Sequence, residues 1–342
     1  MGQYENAADE FLELAEETSG ETRFTAWEQG IISEIRAGRS RRAGSHIDDY
    51  REAAELKENA LPLLRFRYEQ AKMLAEEKKF QQSIPMLQSI LEAEIPEDFR
   101  VRVRYELGRQ NIITNNYEEA IDMLTSLTVE YPNHPLIAQV YITLGTVYYE
   151  QEQPANAIEA YRNALNQGAM DEYKKVAMSN LIKLYDERGL WDAAIALGKR
   201  YATEFPNAED QFATRIQIGT FLMNMREYDR AIDHLTALLR EANAEQSSEI
   251  QFWIGEAYFN QAKYQQAIIE YLKVPYLNPP TKLDWAASAL WKAGNAYEKL
   301  RQNDKAIRLY ERIIREKGAA SNFGRFARRR IDELEAQKEA AE

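Results

Sequence analysis

The sequence predicts an all-α solenoid of about eight helical hairpins, and three observations carry that prediction. A small residue recurs at Ala43, Ser83, Ala120, Ala157, Ala194, Ala231, Ala267 and Ala306, at steps of 36 to 40 residues. Twelve residues before each of these lies a second column, formed by Ile31, Ala71, Gly108, Gly145, Ile182, Gly219, Gly255 and Gly294. The composition is dominated by Ala, Glu, Leu, Arg, Gln and Lys, with only 15 Gly and 10 Pro, which favours helix over turn-rich structure. Self-similarity at a fixed period of this size is the mark of a stacked array, so 342 residues need not divide into globular domains.

The elements follow in order. Five glycines in one helical column need a reason, because each costs about 1 kcal/mol against alanine. Close approach of two helices supplies it, with Gly on helix A of each hairpin facing Ala on helix B. Hairpins are expected to begin near residues 24, 64, 101, 138, 175, 212, 248 and 287. Ahead of them, "QYENAADEFLEL" (3–14) places Tyr4, Ala7, Ala8 and Phe11 in the register of a helix B. The expected division is therefore 1–20 as helix B of a partial repeat, 21–320 as eight hairpins in a single solenoid, and 321–342 as a capping helix. On this pattern the chain reads as a segment of a longer protein. Two hairpins look irregular: the first, with "AGRSRRAGSH" (37–46) where a tight turn belongs, and the seventh, whose "VPYLNPPTKLD" (274–284) reads as a stiff extended connector. The stretch "RVRVRYELGRQ" (100–110) alternates like a strand, but Gly108 belongs to the glycine column and makes it helix A of the third hairpin. Glu106, four residues after Arg102, is expected to pair with it.

Charge and motif content narrow the chemistry. A formal net charge of −12 argues against general binding to nucleic acid or anionic membranes, and no run of about 18 apolar residues is present. There is no cysteine, hence no disulfide or thiolate chemistry. His46 is expected in a turn, His134 in an inter-repeat loop and His234 within a helix, each in a different repeat, so no catalytic or metal cluster is expected. No phosphate-loop, dinucleotide or zinc-protease pattern occurs, no cofactor is implied, and an enzyme is not expected. Two arginine clusters stand out. Arg325, Arg328, Arg329 and Arg330 are followed by Asp332, Glu333 and Glu335, which can pair with them along one helix. Arg36, Arg39, Arg41 and Arg42 leave a second reading open, a regulatory or assembly subunit that binds nucleic acid or another polyanion.

The segments "YITLGTVYYEQEQPANAIEAYRNAL" (141–165), "FWIGEAYFNQAKYQQAIIEYLKV" (252–274) and "ALWKAGNAYEKLRQNDKAIRLYERII" (289–314) resemble the tetratricopeptide repeat family. The first carries Tyr141, Leu144, Gly145, Tyr148, Ala157 and Tyr161 at the family's positions. The resemblance implies a right-handed superhelix and a non-catalytic scaffold that holds a protein segment in its inner groove. The longer loops between repeats, with "YPNHP" (131–135) and "FPNAED" (205–210), are similar to those of bacterial envelope members such as the Tol–Pal-associated periplasmic protein and the outer-membrane assembly lipoprotein, although a lipid-attachment cysteine is missing. A bacterial periplasmic or envelope setting is the expectation that follows.

By the same resemblance, the groove is lined by residues three before, one after and four after the glycine column, plus one six before it. The rule selects Arg65, Tyr68 and Lys72 in the second hairpin, Arg102, Tyr105 and Arg109 in the third, and Tyr149 in the fourth. It selects Phe252 and Phe259 in the seventh and Trp291 in the eighth. The aromatics are expected to anchor a peptide, and the basic residues to steer its acidic side chains. The Lys and Asn carboxylate clamp of chaperone-binding family members is not reproduced.

Overall fold

The computed structural model describes residues 2–57, 60–168, 170–277 and 284–339. Among them every regular element is a helix. The first is α1 (Gly2–Glu17). Eight pairs follow: α2 (Gly20–Arg36) with α3 (Ser40–Ala53), α4 (Leu61–Glu76) with α5 (Phe80–Leu91), α6 (Glu97–Ile113) with α7 (Tyr117–Glu130), and α8 (Ile137–Glu150) with α9 (Pro154–Asn166). Then come α10 (Asp171–Glu187) with α11 (Trp191–Glu204), α12 (Gln211–Asn224) with α13 (Tyr228–Leu238), α14 (Ala244–Asn260) with α15 (Tyr264–Leu277), and α16 (Trp285–Lys299) with α17 (Asn303–Lys317). The last is α18 (Asn322–Glu339). The chain forms two compact units, Met1–Ala177 and Met178–Glu342.

Within the first unit α2 packs on α4, α4 on α6 and α6 on α8, so the A helices form one layer, and α5 and α7 each pack against the two A helices next to them in the chain. In the second unit α12 packs on α14 and α14 on α16 in the same way, and α18 lies against α17. Every small-residue anchor is fully buried, from Ala43 and Ser83 through Ala306. Ser83 keeps its hydroxyl bonded there, donating to the Ala71 carbonyl at 2.6 Å. Such a position tolerates only a small side chain, because two helix backbones meet across it.

The glycine column does not face these alanines. A β-carbon at Gly108 would meet Leu124, one at Gly145 would meet Tyr161, one at Gly219 Leu235, one at Gly255 Tyr271 and one at Gly294 Tyr310. Each partner lies four residues after an anchor, one turn further along helix B. The glycines are thus recesses for large side chains, and Tyr161, Tyr271 and Tyr310 fill theirs with 1% exposure or less.

The tight turn between A and B is uniform. Five residues before each anchor the backbone takes positive φ, at Gly38, Lys78, Asn115, Glu152, Gly189, Arg226, Ala262 and Arg301. The first hairpin is therefore regular, contrary to the expectation for 37–46. Gly38 supplies the left-handed residue (φ +74°), and "SRRAGSH" is absorbed into α3. His46 accordingly sits on a helix. At the other irregular site α15 runs on to Leu277 with Pro275 inside it, and 278–283 lie outside the described residues.

The strand-like alternation at 100–110 also has a structural cause. Val101 belongs to the apolar cluster formed with Leu124, Ile137 and Val140, whereas Val103 belongs to the cluster with Leu64, Leu87 and Ile90. Two residues apart on a helix means opposite flanks, about 200° round the axis, and α6 is buried on both.

Candidate functional site

In the first unit, Tyr68, Tyr105 and Tyr149 are half-buried on α4, α6 and α8. The Tyr68 ring meets Phe99 edge-on at 5.6 Å, and the Lys72 ammonium lies 5.4 Å from its centre. Burial first, then the carboxylates of Glu106 and Glu69, push the Tyr68 hydroxyl well above its ordinary pKa. Arg102 and Arg109 act on the same hydroxyl in the opposite sense, which places α4 and α6 side chains around one ring. Tyr105 shares a hydrogen bond with Thr143 at 3.1 Å and is likewise raised by burial.

The basic residues of this face are all ion-paired. Arg65 reaches Glu28 at 3.9 Å, Lys72 reaches Glu69 at 3.3 Å, and Arg109 reaches Glu106 at 3.1 Å. Arg102 does not pair with Glu106 as its spacing suggested; it pairs with Asp98, one turn earlier, at 2.9 Å. An acid four residues before its base is the better oriented pair, and Glu106 is turned inward, where Gln110 and Arg109 hold it. Glu69 and Glu106 are inner carboxylates, 11% and 10% exposed at the side chain, while Arg102 and Arg109 project outward over them.

The N-terminal arginines are engaged in the same manner. Arg36 forms two 3.0 Å hydrogen bonds to Glu69, Arg39 reaches Asp9 at 2.8 Å, and Arg42 reaches the fully buried Glu34 at 3.2 Å; Arg41 is exposed. His46 also contacts Glu34, at 2.7 Å. Charge drawn into α1, α2 and α4 in this way weakens the case for a polyanion site built on these residues.

In the second unit the three predicted residues separate. Phe252 is buried in the core, with Trp253, Trp285 and Tyr271 at 5.3 to 5.8 Å, and no face of it is open to a ligand. Phe259 and Trp291 stay half-exposed and line one cleft of about 510 Å³ with Asn295, Glu298 and Lys299 of α16 and Phe326, Arg329, Arg330 and Glu333 of α18. Tyr310 backs this cleft. Its ring lies 4.9 Å from Trp291, and the one hydrogen of its hydroxyl faces both Asn295 Oδ1 at 2.8 Å and Glu298 at 2.6 Å. Arg330 holds Glu298 and Glu333 together, which orients both carboxylates.

Phe326 lies on the expected capping helix, outside the groove rule. The signal was present: α18 buries Ala327, Ile331 and Leu334, and Phe326 falls off that stripe. None of the described helices is long and apolar enough to cross a membrane.

Models of the tetratricopeptide repeat match residues 142–209, 217–279 and 288–316. Among solved structures, MamA is 19% identical, over 53% of this chain and 92% of its own, with a TM-score of 0.40. The C-terminal part of a TPR repeat-containing protein from Cytophaga hutchinsonii is 18% identical, over 63% of this chain and 79% of its own, with a TM-score of 0.46. YrrB, described as a TPR protein with an unusual peptide-binding site, is 17% identical over 60% and 97%, with a TM-score of 0.39. No curated protein matches the sequence.

Proposed function

We propose that this chain, a tetratricopeptide-repeat protein, is a non-catalytic scaffold that takes segments of partner proteins on the open faces of its A helices. The observation that carries the reading is the set of aromatic rings left half-exposed beside outward-projecting cations, Tyr68 and Tyr105 with Arg102 and Arg109, and Phe259 and Trp291 with Lys299. Rings of this kind bring large contact area at low entropy, and the cations add orientation. Because Arg102 and Arg109 each already have a carboxylate, their preference for an acidic partner is a matter of exchange between ion pairs, worth little on an exposed surface. Affinity on that face therefore comes mainly from the rings.

Site-specific photo-crosslinking tests the reading. A benzophenone amino acid placed at Tyr105 or Phe259 should crosslink to partner proteins in cells, whereas one at Val129 or Ile269, exposed on B helices, should not. Crosslinks confined to the B-helix positions would remove the proposal. An envelope setting belongs to the same reading and is supported by the long inter-repeat loops; a purely cytoplasmic signal on cell fractionation would remove that part.

A further inference from the structure

We infer that the cleft beneath α18 is an anchor site for an acidic peptide segment carrying an apolar side chain, an inference that rests on the scaffold reading and gives it a ligand chemistry. The cleft has three aromatic walls from three helices, Phe259 of α14, Trp291 of α16 and Phe326 of α18. Phe326 is 56% exposed and takes no part in the apolar stripe of its own helix, so the fold makes no use of its ring. Trp291 is held from behind by Tyr310. The Tyr310 hydroxyl lies between Asn295 and Glu298 and fixes both side chains at the cleft.

Charge selects the rest of the ligand. The two carboxylates of the cleft, Glu298 and Glu333, are both held by Arg330. Lys299 is exposed at the rim, and Arg329 touches Glu333 at 3.3 Å while its side chain stays 78% exposed. The cleft is lined by three basic side chains, Lys299, Arg329 and Arg330, against two acidic ones, Glu298 and Glu333, in a chain whose formal net charge is −12. The cleft is thus a local cationic surplus in an acidic protein, and it favours a ligand of opposite sign. A volume of about 510 Å³ admits one or two side chains of an extended segment, not a folded domain. A formal net charge of −12 opposes a ligand charged at every unit, which favours a peptide with a few acidic residues around an apolar side chain over a single-stranded nucleic acid.

The test is fluorescence polarisation on the full chain with a fluorescein-labelled hexapeptide pool. The pool carries Asp or Glu at its first, second, fifth and sixth positions and Phe, Trp or Leu at its third and fourth. Saturable binding is expected, weakened about tenfold or more by Phe326→Ser and by the double change Lys299→Glu, Arg329→Glu. All three side chains are exposed, so an unchanged thermal melt in the variants shows that the fold is retained. A pool with Ser at the third and fourth positions should bind at least about tenfold more weakly. Equal binding by the variants, equal binding of the Ser pool, tighter binding of fluorescein-labelled oligothymidine, or no saturable binding would each overturn the inference. Photo-crosslinks at Tyr105 or Phe259 that persist alongside such a failure would leave the scaffold reading standing.

Discussion

Gly219 illustrates the residue scale. A β-carbon there would lie 2.6 Å from the Leu235 side chain, which is itself fully buried and has nowhere to go. Gly219→Ala should therefore lower stability by about 1–3 kcal/mol, as overpacking, even though alanine is the better helix former; urea unfolding of the variant checks this. His234 gives a second prediction. Its Nε2–H donates to the Arg215 carbonyl at 2.7 Å. Burial, with help from the charges of Lys199 and Arg215, holds its pKa below the ordinary 6.5 despite that bond. The unfolded chain then takes up the proton first as the pH falls, so stability from the neutral ring is complete above pH 6.5 and is lost as the pH drops from 6.5 towards the folded-state value. Stability curves from pH 8 to 5 should fall more steeply for the wild type than for His234→Gln. Parallel curves would show that His234 does not contribute.

At the scale of the element, the A–B turn is the repeated device. One left-handed residue lies five before each anchor, and in six of the eight hairpins it is not glycine. The left-handed backbone disfavours an L side chain by about 1–2 kcal/mol, so Gly189→Ala, at φ +67°, should destabilise by about that amount. Arg226→Gly, at φ +62°, should stabilise by somewhat less, because glycine also loosens the unfolded chain. Opposite shifts of the two urea midpoints are the expected result. Helix ends receive little other help: only α14 shows a full capping box, Asn243 with Gln246, among the described caps. The helices are held by packing of their apolar faces, as short helices in water must be.

At the scale of the molecule, each unit is a sum of neighbour contacts, and an exposed terminal face would be a liability. Helix α18 covers Tyr310 and Ile313 of α17 with Ala327, Ile331 and Leu334. Deleting residues 322–342 should lower the melting temperature and raise binding of a hydrophobic dye, and an unchanged melt would mean that α18 is dispensable to the second unit. The same helix supplies Phe326, Arg329 and Arg330 to the cleft, so stability and recognition meet on one element.

The sequence by itself determined the architecture: buried anchors at nearly constant spacing, with helices starting within four residues of their expected positions. Periodicity reports burial averaged over a whole helix, and that is robust to local detail. Side-chain partners were decided only in the tertiary structure. Arg102 chose Asp98 over Glu106, and Arg36, spaced 33 residues from Glu69, found it across two helices. Gly108 met Leu124 rather than Ala120, and Phe252 went to the core while Phe326 stayed outside. Each of these outcomes turns on a rotation of a few tens of degrees about a helix axis or on a neighbour far away in the chain. Spacing along one strand of sequence carries neither quantity, because both arise only when helices pack.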